Sequence, residues 1–107
     1  MVARRLVDSS TDVLAAVILD AAGGLVETGG IESDSARELA ELARQLVEQA
    51  DAAADRPVEQ IEVQTAGGSV YAVRDARHEI VCVTRRGALP ALVLYDIHDA
   101  LRKLAPA

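Results

Sequence analysis

From Val13 to Leu19 every residue is apolar, three of them valine or isoleucine, and Asp20 ends the run. A continuous apolar run of this length predicts a central strand buried on both faces. Ala21 to Gly24 supplies the glycines of a hairpin turn, because glycine accepts the positive φ angles such turns need. Leu25 to Thr28 then reads as a short second strand. Upstream, Met1 to Asp12 mixes charge with small polar groups and has too few apolar positions to define a packed face. That segment is expected to be a loose arm.

After Gly29 and Gly30 the period changes. Ala36, Leu39, Ala40, Ala43, Leu46, Val47, Ala50 and Ala54 recur at the i, i+3, i+4, i+7 spacing of one helical face. Ser35 stands three residues before Glu38, the arrangement of a capping box at a helix start. Pro57 is expected to stop the helix, giving Ser35 to Ala54 a length of about 30 Å at ~1.5 Å per residue. Leu42 lies off the main stripe. The alanines either admit a second helix at close range or simply favour helix, and the pattern alone does not choose. Glu38, Glu41, Glu48 and Asp51 are expected on the exposed side.

From Val58 to Thr65 the pattern alternates, with Ile61, Val63 and Thr65 on one side and Gln60, Glu62 and Gln64 on the other. This predicts a half-covered edge strand. Ala66 to Gly68 turns the chain, Ser69 to Arg74 forms a strand, Asp75 to His78 turns again, and Ile80 to Thr84 forms the last strand of a meander. Gly87 breaks the pattern, and Pro90 suits the first turn of a helix, where its missing amide costs nothing. In that helix Val93, Ile97, Ala100, Leu101 and Leu104 make the stripe that packs on the sheet. The predicted fold class is α/β (α+β), a five-stranded antiparallel sheet with a long helix on one face and a C-terminal helix on the other. The folded domain is expected to span residues 13–105, after an arm of residues 1–12.

Composition narrows the function. The 107 residues suit a single domain, and half of them are hydrophobic, enough for a core. With no Phe or Trp, and Tyr71 and Tyr95 as the aromatic residues, that core must be aliphatic. The net charge of -6 argues against nucleic acid, whose phosphates need a basic stripe; Arg4 with Arg5 and Arg85 with Arg86 are small pairs. A single cysteine, Cys82, allows no internal disulfide and suits a reducing compartment. The Val13–Leu19 run is too short to span a bilayer and lacks a signal-peptide layout. The expectation is therefore a soluble cytoplasmic protein with no direct membrane insertion.

Candidate chemistry is sparse. The glycine pairs Gly23/Gly24, Gly29/Gly30 and Gly67/Gly68 lack the Lys-Ser/Thr ending of a phosphate-gripping loop and read as turns. His78 and His98 have no partner at zinc-ligand spacing, and His98, beside Asp96 and Asp99, reads as an exposed residue near a helix carboxyl end. Cys82, flanked by Val81 and Val83, reads as core rather than nucleophile. No serine sits in a G-x-S-x-G elbow. No catalytic residue, cofactor or metal is expected, so the chain reads as a protein without its own active site.

The segments VLAAVILDAAGGLVETGG, SARELAELARQLVEQA and VEQIEVQTAGGSVYAVRDARHEIVCVTRRGALPALVLYDIHDALRKL resemble the Roadblock (dynein light chain) family over nearly all of Val13 to Leu104. Its bacterial members include MglB-like regulators of a Ras-like gliding-motility GTPase. The resemblance implies a Roadblock-like (profilin-like) sandwich and a homodimer, possibly assembling further, built from the edge strand and the long helix. It places that interface on Leu39, Leu42, Ala43, Leu46, Ile61, Val63 and Thr65. It further implies a non-catalytic adaptor that binds a Ras-like small GTPase and modulates its nucleotide cycle or localisation, with Glu38, Glu41, Arg44, Arg85 and Arg86 as partner-binding residues. The family usually opens with a full amphipathic helix, which Met1 to Asp12 is not expected to supply. The sheet face left bare would then be a docking site. Two other readings are a small-molecule sensor, whose pocket Tyr71, Tyr95, Thr84 and the histidines would line, and a structural adaptor subunit of a larger complex.

Overall fold

The apolar run becomes β1 (Val13–Asp20), joined through the glycine turn to β2 (Leu25–Gly29). This is seen in a computed structural model, which describes residues 1–104; the expected domain end at residue 105 lies outside them. The helical stripe becomes α2 (Ser33–Ala54), and the meander is β3 (Gln60–Thr65), β4 (Gly68–Arg74) and β5 (His78–Arg85), followed by α3 (Pro90–Lys103). The five strands are antiparallel in the order β2-β1-β5-β4-β3, which leaves β2 and β3 at the edges.

The alternation of each strand sorts its side chains between two cores. On one face Ile18, Tyr71, Val73, Ile80 and Cys82 pack against Val93, Ile97 and Leu101 of α3. On the other Val17, Leu19, Ala72 and Val81 meet Ala36 and Ala43 of α2. Both histories of burial are written in β1, which explains why its sequence is a run rather than an alternation. Each isoleucine or valine sealed in these layers contributes roughly 1.5–3 kcal/mol of transfer free energy.

Three expectations need correction. Met1 to Asp12 is not a loose arm: Val2–Ser9 forms a helix, α1, whose Ala3 and Leu6 are buried in the same core as α3. Two turns suffice because α1 lies almost on the backbone of β2. A Cβ at Gly29 would stand 2.7 Å from the Ala3 carbonyl oxygen and 3.0 Å from Arg4 Cα. Gly29 therefore closes a helix-on-strand contact as well as ending a strand, and Glu27 accepts the Ala3 amide at 3.0 Å. The face expected to be bare is covered by the chain itself, which removes the docking site proposed for it.

The capping box also fails to form. α2 begins two residues earlier, with Glu32 at the cap position and no side-chain hydrogen bond there, so Ser35 lies inside the helix. At the other end Asp55, with φ of 55°, takes the left-handed conformation that terminates the helix before Pro57 is reached. Finally, Asp51 is not a free surface carboxylate; it is half-buried and paired with Arg74.

Candidate functional site

The two sheet edges are built differently. β2 carries an irregularity: Ile18 faces Glu27 and Leu19 faces Leu25, so Val26 is an extra, exposed residue. Such a bulge twists an edge away from further pairing. β3 has no such defence. Its six residues, from Gln60 opposite Val73 to Thr65 opposite Gly68, pair in unbroken register with β4. Among the described residues, no strand lies on the other side of β3.

Ile61 and Val63, opposite Ala72 and Val70, lie on the sheet face that carries α2. That helix packs chiefly on β1, β2 and β5. Ile61, Val63, Val70 and Val83 consequently stay only half-buried. Thr65 is exposed, its hydroxyl donating to the Gly68 carbonyl in the β3–β4 turn.

On α2 the expected interface residues separate. Leu42 is 47% exposed and Leu46 half-buried, whereas Ala43 is 1% exposed and faces the sheet. Leu39 is half-buried and packs on the same core. Ala43 therefore belongs to the protein's own interior and is corrected out of the outer-face set. The cause is the 100° step of the helix, which puts adjacent positions on different sides.

The expected partner-binding residues do not converge. Glu38 is exposed on α2. Arg44 hydrogen-bonds Glu41 and Glu48 along the same helix, and its guanidinium holds the Glu41 carboxyl down at about 2. Arg85 instead pairs with Asp12 at 2.8 Å, and Arg86 is exposed. Among the described residues no hydrogen bond or ion pair joins Arg85 or Arg86 to the helix set. The residues named for a sensor pocket are scattered too, with Tyr71 and Thr84 sealed in the core and Tyr95 66% exposed. Cys82 is fully buried, and burial pushes its thiol well above the usual range. His98 is exposed and meets Gln60 at 3.1 Å.

Sequence reasoning missed a cleft of about 570 Å³ between the β1–β2 turn and α2, lined along the helix from Arg37 to Asp51. Asp51 accepts hydrogen bonds there from Arg74 and from the Val58 amide, and Arg74 also donates to the Val58 carbonyl. Glu79, at the start of β5, lines the same cleft; its Oε2 is buried without a partner, and burial raises its pKa. The available signal was a pair of charges, Arg74 and Glu79, inside otherwise apolar strands. No group of histidine, cysteine or carboxylate side chains suited to a metal occurs among the described residues, and no described helix is long and apolar enough to cross a membrane.

A Roadblock/LC7 domain from Streptomyces avermitilis superposes with a TM-score of 0.86 at 20% identity, over 94% of this chain and 89% of that one. Myxococcus xanthus MglB gives 0.80 at 20% identity, over 94% and 86%. An MglB described with a tetrameric arrangement gives 0.82 at 16% identity, over 97% and 82%. No curated protein matches the chain. These likenesses establish the fold. The sequence profile of the Roadblock/LC7 domain matches residues 3–85, from inside α1 to the end of β5, and the chain therefore belongs to the Roadblock/LC7 family.

Proposed function

We propose that the chain is a homodimeric, non-catalytic regulator that binds a Ras-like small GTPase and modulates its nucleotide cycle or its location in the cytoplasm. The observation that carries the reading is the open β3 edge. Its register is regular, its outer side meets no strand among the described residues, and its apolar side chains are left half-covered. A regular edge of this kind invites another strand. A second copy of β3 satisfies it symmetrically, since an isologous contact uses the same patch twice. The two α2 helices would then meet across Leu42 and Leu46 and present Glu38, Glu41 and Arg44 as one platform. Leu39, Ile61, Val63 and Thr65 complete the proposed interface. The self-association of an MglB of the same fold supports this reading.

Two measurements test it. Sedimentation equilibrium should give a dimer, and Val63→Lys, which places a charge on the paired face, should give a folded single copy. Affinity capture from native lysate should retain a Ras-like GTPase, whose hydrolysis or exchange rate then changes when the purified dimer is added. A wild-type protein that sediments as one copy, or a captured set without any such GTPase, overturns the proposal.

A further inference from the structure

The cleft between the β1–β2 turn and α2 lies wholly within one protomer, so what it binds can be argued without the dimer. Five carboxylates line it against three guanidinium groups. Four of the carboxylates are occupied. Asp20 accepts the amides of Ala22 and Gly24, Glu41 and Glu48 hold Arg44, and Asp51 holds Arg74. Glu79 is the exception: it accepts no hydrogen bond among the described residues, and its Oε2 is buried. Glu79 as a whole is half-buried, but a carboxylate oxygen withdrawn from water without a donor is costly, and the cost is recovered when a cationic donor arrives.

Two of the three cations are committed elsewhere, and the third, Arg37, is exposed and lies 3.9 Å from Asp34 on its own helix. Arg74 spends its Nε on the Val58 carbonyl and an Nη on Asp51, and Arg44 is shared between two glutamates of its own helix. An anion held by Arg44 or Arg74 would have to break these pairs, whereas a cation would meet Glu79, which faces Arg74 across β4 and β5 but takes no hydrogen bond from it among the described residues. From this geometry we infer that the cleft is a binding site for a guanidinium or ammonium group, with Glu79 as its anionic seat and Glu41 and Asp51 at its walls. A planar guanidinium suits a carboxylate through two parallel hydrogen bonds. Burial raises the pKa of Glu79 against a lowering by Arg74. The group would come from a free organic cation or from an arginine or lysine presented by another protein.

The test uses the full chain, carbon-13 labelled and followed by NMR. Agmatine is titrated in one arm; in the other, a short alanine-flanked arginine peptide is titrated beside its citrulline counterpart. Saturable shifts confined to the β1–β2 turn, Glu79 and the facing turns of α2 are expected, with the Glu79 carboxyl titrating at lower pH in the bound state. Glu79→Gln should weaken binding about tenfold or more, as loss of a hydrogen bond to a charged group does. Its amide spectrum verifies that the fold is retained. Tighter binding of agmatine identifies a free cation as the source; tighter binding of the arginine peptide, with none for citrulline, identifies a protein side chain. No saturable shift from either probe, equal binding by Glu79→Gln, or a Glu79 carboxyl already paired with Arg74 in the free protein would overturn the inference.

Discussion

The Oδ1 atom of Asp51, in the last turns of α2, accepts both the Arg74 guanidinium from the end of β4 and the backbone amide of Val58 at 2.7 Å. One carboxylate thus ties the helix, the connection to β3 and the sheet together. Arg74 strengthens the tie from its own backbone, whose amide donates to the Glu59 carbonyl at 2.9 Å. These contacts fix the entry of the chain into β3, the edge on which the proposed dimer depends.

The Asp51 tie should be visible in acid. The hydrogen bond from Arg74, then that from Val58, holds the Asp51 pKa below its ordinary value. A lowered carboxylate contributes stability that is complete above its unfolded pKa, about 4, and is lost as pH falls through the folded value. Asp51→Asn should therefore lower Tm at pH 7 and narrow the difference from wild type at pH 2–3. Thermal unfolding of both proteins at the two pH values checks this; equal differences at both would mean that the charge on Asp51 is irrelevant.

Gly29→Ala should cost about 1–3 kcal/mol, the range for forcing extra atoms into a filled space. The three atoms that the new methyl would meet all belong to the backbone of Ala3 and Arg4, so no side chain can turn aside and α1 must lift. Urea unfolding measures the loss. Hydrogen exchange should locate it, with faster exchange in α1 and β2 and little change in β3 or β4.

That contact also marks where the sequence stopped being legible. The strands of the meander, α3 and the long helix were readable because each is written in its own period of apolar residues. α1 was not, because a two-turn helix buries just Ala3 and Leu6 fully, with Val2 and Val7 packed beside them, and the feature that lets it dock is a hydrogen atom on Gly29. The capping box misled for a related reason: Ser35 and Glu38 have the right spacing, but the helix already starts at Ser33. In the candidate site, Ile61 and Val63 were legible from strict alternation. Ala43 was misplaced because alanine carries no sign of which neighbour it faces. Arg74 and Glu79 flank one turn and stand out as charges in apolar strands, but Asp51 is far from both in sequence, and no local pattern announces that the fold brings it to them.

The two sides of α2 should respond oppositely to substitution. Ala43 sits against the sheet, so Ala43→Leu overfills that layer and should destabilise by about 1–3 kcal/mol at every protein concentration. Leu42 is exposed in the single chain, and Leu42→Asp should change the protomer's intrinsic stability by no more than about 0.5 kcal/mol. If the helices meet in a dimer, Leu42→Asp should nevertheless raise the dimer dissociation constant at least tenfold. Denaturation across a protein-concentration series, with sedimentation alongside, separates the two effects.

Glu79 should give the reverse pH signature to Asp51. Burial raises its pKa, against a lowering by Arg74, so the native state holds its proton more tightly than the unfolded chain does. A raised carboxylate favours folding fully below its unfolded pKa, and that contribution is lost as pH rises through the folded value. In Glu79→Gln the side chain keeps its shape but cannot ionise. The variant should match wild type below about pH 4, near the unfolded glutamate value, and exceed it in Tm at neutral pH. A saturating guanidinium ligand should close that gap by stabilising the wild type alone. Melting curves from pH 3 to 8, with and without agmatine, measure both effects. If Glu79→Gln were less stable than wild type at pH 7 without ligand, the carboxylate would have to be paired in the free protein rather than waiting for a cation.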